Sequence, residues 1–122
     1  MKLLLDTHTL IWWDSDELPR TVSRRIERAE TVFLSAVVAW EIAIKSGLGK
    51  LIAKSPLDPL LEEYSFVELP VSIRHADLVR TLPPHHRDPF DRLLIAQAMV
   101  ENLVIVSADP LFKPYKVPVV WD

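Results

Sequence analysis

The chain opens Lys2-Leu3-Leu4-Leu5-Asp6-Thr7-His8-Thr9-Leu10-Ile11-Trp12-Trp13, and the reading of this stretch decides the fold. Lys2–Leu5 is a short apolar run ended by an acid, which predicts a buried strand. Thr7–Trp13 follows directly and predicts a short helix. The same strand-then-helix unit recurs. Val32–Leu34 predicts a second buried strand, and Ala36–Leu48 a helix stopped near Gly47 and Gly49. Asp88–Asn102 is the clearest helix, and Leu103–Val106 is a strand of four apolar residues. Between these lie helices over Arg20–Glu30, Leu57–Tyr64 and Ser72–Thr81, and a strand over Phe66–Leu69. Pro83-Pro84 breaks the chain, Leu111–Phe112 sits in a turn or short helix, and Val117–Val120 predicts an edge strand. Strands alternating with helices, and apolar on both faces, predict the α/β class: a central parallel sheet flanked by helices. Right-handed crossovers then bring every strand's C-terminal end to one edge, where open sheets bind ligands.

Length and composition narrow the possibilities. The 122 residues suit one domain over 1–122. At 49% hydrophobic, the chain is no disordered tail. The absence of cysteine excludes a disulfide or thiolate-metal scaffold and fits a cytoplasmic location. The longest apolar stretch, Val32–Ile44, contains Ser35 and Glu41 and falls short of the ~20 residues of a membrane span. Asp6 interrupts any signal-peptide core. A net charge of −3 argues against simple electrostatic binding of nucleic acid. It is compatible with an enzyme that handles a polyanion through metal ions.

The informative acids are Asp6, Glu41, Asp88, Asp91 and Asp109. Asp6 reads equally as an N-cap for the helix at Thr7 and as a ligand at a strand's C-terminal end. Glu41 shares a helix face with Val37, Val38 and Ile44, so its carboxylate must find a cation or protonate. Lys45, four residues on, is one such partner; a cation in a cavity is the other. Asp88 as N-cap, Pro89 as first helical residue and Asp91 at the third position make a helix start with an approximate capping box. From there the Asp91 carboxylate can point out over the sheet edge. Asp109 caps a turn at Pro110, yet like Asp6 it lies just past an apolar strand. In a parallel sheet the two strand-end acids, Asp6 and Asp109, converge with one at a helix start and with mid-helix Glu41. Two unit charges about 5 Å apart repel by ~3 kcal/mol at an effective dielectric near 20. Such a cluster raises pKa values or recruits a divalent cation, and an all-oxygen donor set favours Mg²⁺ or Mn²⁺ over Zn²⁺. Metal-assisted phosphodiester hydrolysis follows from that chemistry.

Other residues carry weaker signals. His8 is expected to pack or cap rather than touch a metal, and His85-His86, in a proline-flanked loop, to face solvent. Thr7, Ser35 and Ser107 sit at strand ends, placed to hydrogen-bond ligand carboxylates. Arg20, Arg24, Arg25, Arg28, Lys45, Lys50 and Lys54 read as phosphate contacts or as solvated faces. Trp12, Trp13 and Trp40 are expected in the core.

Taken together, four segments resemble the PIN-domain ribonucleases, specifically the VapC-type toxins of toxin–antitoxin pairs. They are Leu3 to Trp12; Ser35 to Lys45 with Gly47-Leu48-Gly49-Lys50-Leu51; His86-Arg87-Asp88-Pro89-Phe90-Asp91-Arg92 through Ala98; and Ser107-Ala108-Asp109 with Phe112 and Tyr115. They run through the whole chain in family order. The resemblance implies a PIN-like fold and a metal site from Asp6, Glu41, Asp91 and Asp109, the last being the most variable acid. Asp88 is typical of the subgroup without being a core ligand. Ser107 stands where many relatives have threonine, with the hydroxyl kept. The resemblance further implies Mg²⁺ or Mn²⁺ as cofactor, RNA as substrate, a cognate antitoxin as partner, and a homodimer.

Two rivals remain at this level. One is a PIN-like module that binds RNA or protein without catalysis, its acids serving as caps. The other is a receiver-type phosphoacceptor domain, which needs an acid pair near strand one; here there is Asp6, and Asp14 lies too far on.

Overall fold

Leu3, Leu4 and Leu5 are completely buried because β1 (Lys2–Leu5) is the middle strand of the sheet. The computed structural model describes residues 1–50 and 56–122; Leu51 and Lys54 lie outside the described residues. After β1 come α1 (Thr7–Asp14), α2 (Arg20–Arg28), β2 (Thr31–Ser35), α3 (Ala36–Gly47) and α4 (Asp58–Tyr64). Then follow β3 (Val67–Leu69), α5 (Ile73–Leu78), α6 (Pro89–Glu101), β4 (Val104–Val106) and β5 (Val119–Val120). Short 3-10 turns cover Val79–Thr81 and Pro110–Phe112. The strand order is β3-β2-β1-β4-β5, every pair parallel, so the expected α/β architecture is present.

The order places a topological switch between β1 and β4. From β1 the chain winds outward through β2 and β3, then returns to add β4 and β5 on the other side. Helices on either side of a switch point diverge, leaving a crevice beyond the strands' C-terminal ends. Leu5 pairs with Val106, so the next residues, Asp6 and Ser107, face each other at the mouth of that crevice.

Several boundaries differ from expectation for local reasons. α2 stops at Arg28 because the Glu30 amide donates to the Met1 carbonyl at 3.0 Å, pulling the chain into β2. β3 and β4 each start one residue late. The Phe66 amide donates to the Leu61 carbonyl and the Leu103 amide to the Ala98 carbonyl, so neither joins the ladder. β5 is only Val119–Val120, since Pro118 has no N–H to donate. The helix expected over Ser72–Thr81 tightens into a 3-10 turn at Val79, and Leu82 is extended ahead of Pro83.

The loop between that turn and α6 is tied down by one guanidinium. Arg92 Nη1 donates to the Pro83 carbonyl at 2.9 Å, and Nη2 to the Leu82 and Val79 carbonyls at 3.1 and 3.2 Å. Tyr115 Oη accepts the His86 amide and donates to the Pro83 carbonyl, both at 2.8 Å. Only a planar fork meets carbonyls in several directions. Arg92→Lys is therefore expected to destabilise the fold by about 2–3 kcal/mol despite keeping the charge, read as a lower midpoint in urea unfolding.

Candidate metal centre

Asp6 leaves β1 and starts α1. Its Oδ1 accepts the Thr9 amide at 3.0 Å, which is the expected cap. Its Oδ2 accepts the Ser107 hydroxyl at 2.5 Å from the neighbouring strand end. The carboxyl is 6% exposed. Burial pushes its pKa up, and the hydrogen bonds from Ser107 and Thr9 offset only part of that.

Glu41 projects from the buried face of α3, beside Val37, Val38 and Ile42. Ile44, expected on that face, is 38% exposed; the residues of the helix that are buried are Val37, Val38, Glu41 and Ile42. Glu41 Oε1 accepts the Thr7 hydroxyl at 2.5 Å, and Oε2 pairs with Lys45 Nζ at 2.6 Å. The ion pair weighed from sequence is therefore present, yet it does not take Glu41 out of the cavity. Lys45 reaches on to Asp88 Oδ2 at 3.6 Å and lies 5.6 Å above the Phe90 ring centre. Desolvation lowers the Lys45 pKa, but Glu41 and Asp88 together outweigh it and leave it raised.

Asp88 caps α6, its Oδ1 accepting the Phe90 and Asp91 amides at 2.8 and 3.1 Å. The capping box is only half formed. The Asp88 amide donates not to Asp91 but to His86 Nδ1, at 3.2 Å. That substitution frees the Asp91 carboxylate, which lies 3.1 Å from His86 Nε2. Asp109 Oδ2 lies 3.0 Å from the same nitrogen, while its Oδ1 caps the turn at Leu111.

His86 is the residue that sequence reasoning missed. Expected in solvent, it is 6% exposed, packed against the Phe112 ring and held by Tyr115. One polar atom each of His86, Asp91 and Asp109 lies within 4.8 Å of the others, spacing that suits a metal ion; the hydrogen bonds of the ring leave the carboxylates as the donors and His86 as their support. With Nδ1 accepting the Asp88 amide, the ring hydrogen sits on Nε2 and is shared between the two carboxylates. The one sequence signal for this role was position: a histidine two residues before a helix cap has its ring within reach of the cap's amide.

Asp6, Glu41, Asp88, Asp91 and Asp109 all line one cavity of about 400 Å³, together with Thr7, His8, Trp12, Lys45 and Ala108. The convergence expected from a parallel sheet is thus observed, at the switch point. Its electrostatic consequence falls on Asp91. Burial, then the charges of Asp88, Glu41, Asp6 and Asp109, push its carboxyl up to about 8. The donor set fits a divalent cation, since the carboxylates are oxygen donors whose mutual repulsion a doubly positive charge relieves.

Other expectations fare differently. Thr7 and Ser107 do hydrogen-bond acids of the cavity, but Ser35 instead caps α3 and donates to Gln97 Oε1. His8 caps nothing and is exposed at the cavity wall, its ring set against that of Trp12. Trp40 is 57% exposed rather than core, because residues 37, 38, 41 and 42 define the inward face of α3; its ring meets Phe90 edge-on. Trp12 and Trp13 are half-buried. Arg20 and Arg24 line a separate cavity with Asp14, Asp16 and Glu27, and Arg25 and Arg28 are exposed.

No curated protein matches the chain by sequence. Solved structures share its fold. VapBC2 from Rickettsia felis, bound to a DNA fragment from its promoter, superposes with a TM-score of 0.73 at 19% identity, covering 100% of each chain. VapBC-1 from nontypeable Haemophilus influenzae gives 0.70 at 16%, covering 98% of this chain and 97% of that one. FitAcB from Neisseria gonorrhoeae gives 0.65 at 21%, covering 96% and 95%. The family model for the PIN domain matches residues 3–117, and the chain belongs to that family.

Proposed function

We propose that this protein is a metal-dependent endoribonuclease, the toxin of a toxin–antitoxin pair, acting on RNA in the cytoplasm. The observation that carries the proposal is the convergence of Asp6, Glu41, Asp88, Asp91 and Asp109 on one cavity, where burial and the four neighbouring acids push the Asp91 carboxyl up to about 8. A purely structural role gives no reason to keep such a repulsive arrangement, whereas metal-assisted hydrolysis uses it. The shared fold with VapBC proteins supports the toxin role, with a cognate antitoxin as partner and a homodimer as the assembly.

In this proposal Asp6, Glu41, Asp91 and Asp109 hold Mg²⁺ or Mn²⁺. The bound cation would supply an activated water and offset charge on the scissile phosphate. The remaining work falls to the chain. The Ser107 and Thr7 hydroxyls fix one oxygen each of Asp6 and Glu41. The His86 N–H holds Asp91 and Asp109 side by side. Lys45 keeps Glu41 and Asp88 apart from full repulsion and presents positive charge at the cavity wall. With its carboxyl pushed up to about 8, Asp91 would have to release a proton to hold a cation, so metal affinity is expected to rise with pH up to about 8.

The binding-without-catalysis alternative draws on one observation: Asp6, Asp88 and Asp109 do cap helices, and Glu41 does pair with Lys45. Purified protein with single-stranded RNA and Mg²⁺ or Mn²⁺ decides between the two. Cleavage by the wild type, lost in Asp6→Asn, is the expected result. Unchanged cleavage by folded Asp6→Asn would refute the proposal.

A further inference from the structure

We propose that His8 and Trp12 form a stacking subsite for an unpaired base of single-stranded RNA, on the wall of the acidic cavity. The inference rests on the nuclease reading and adds to it the form of substrate and the residues that grip it.

The two residues are four apart on α1, so they share one face of the helix. Both line the cavity, their ring centres 5.6 Å apart and tilted by 48°. Trp12 is braced by the edge of Trp121 at 6.0 Å. Its neighbour behaves differently: Trp13 turns away to pack on Tyr64 and Phe66, at 5.5 and 6.1 Å. Of two successive tryptophans, one serves the packing and the other is left at the cavity. Asp6 caps the same helix, six residues before Trp12, about 9 Å along the axis. A phosphate over Asp6 and a base on Trp12 therefore belong to neighbouring nucleotides.

Electrostatics explains why a stacking surface is needed. Among the described residues lining the cavity, Lys45 is the one lysine or arginine, and it is already engaged by Glu41 and Asp88. Five acids line the same cavity, and the whole chain carries −3. Among the described residues, then, acids outnumber cations at this wall, and a contact that does not depend on charge adds grip there. Base–aromatic stacking does not depend on net charge and tolerates any base, because each has a π-face. Bases within a duplex already stack on their neighbours, so the subsite selects unpaired ones.

The test measures binding of a labelled single-stranded RNA to the full chain with Ca²⁺ replacing Mg²⁺, the RNA verified intact on a gel. Oligonucleotides carrying one abasic position are compared with the unmodified strand and with its duplex. Trp12→Ala is expected to weaken single-strand binding by about tenfold to a hundredfold. Trp12→Phe, which keeps a ring, is expected to stay within about threefold of the wild type. One abasic position is expected to weaken the wild type comparably and to add nothing in Trp12→Ala, the mark of two groups sharing one contact. Should Trp12→Ala fail to fold, exposed His8→Ala serves in its place, with the same abasic comparison. Wild-type affinity in the folded variants, equal abasic losses in wild type and variant, or equal binding of duplex would overturn the subsite. If the wild type binds neither strand nor duplex, the nuclease reading falls with it.

Discussion

Asp91→Asn is expected to lower RNA cleavage by about a thousandfold and, in metal-free solution, to raise the melting temperature. Both effects come from one carboxylate. A metal ligand supplies several kcal/mol of transition-state stabilisation, and each 1.36 kcal/mol is tenfold in rate. The same group strains the metal-free fold. Its pKa is 3.8 in an ordinary setting and about 8 here. Between those values the folded protein holds a proton that the unfolded chain has released, so stability falls as pH rises through the window. Below pH 4 both states are protonated and the effect vanishes. Asn carries no charge, so the advantage of the variant should grow from pH 5 to pH 8 and then level off. Asp6, also raised by burial, leaves a residual slope in the variant. Lys45 titrates above the window and contributes nothing to it. Thermal melts in EDTA at three pH values check this; a variant less stable than the wild type at pH 8 would contradict it.

Phe112→Ala is expected to cost about 3–5 kcal/mol, because a large aromatic ring with no exposed surface leaves a cavity that the core cannot close. The ring stands 5.4 Å from that of His86, so the loss also loosens the histidine that holds Asp91 and Asp109. Leu111→Ala, next door and 46% exposed, should change stability by no more than ~0.5 kcal/mol. Urea unfolding of the two variants gives the comparison.

The strands were legible because residues apolar on both faces leave a parallel sheet as the natural arrangement, and the convergence of four acids followed from that alone. Glu41 stood out because a mid-helix acid among β-branched residues demands a partner. His86 was not legible. What buries it are Phe112 and Tyr115, the latter 29 residues further on, and nothing local to Pro83–Pro84 announces those contacts. The half-formed capping box was hidden for the same reason, since a tertiary ring replaced the expected side chain. Trp40 stays outside the core because helical phase outweighs residue type; positions 37, 38, 41 and 42 fix the inward side. Strand ends shifted wherever an amide was spent on the preceding helix, as at Phe66 and Leu103.

Anomalous diffraction from crystals soaked in Mn²⁺ at pH 8 locates the cation directly. A peak is expected inside the cavity, within bonding distance of carboxylate oxygens of Asp6 and Asp91, with Glu41 and Asp109 beside them. A cavity without a peak, or manganese bound only at other surface acids, would contradict it.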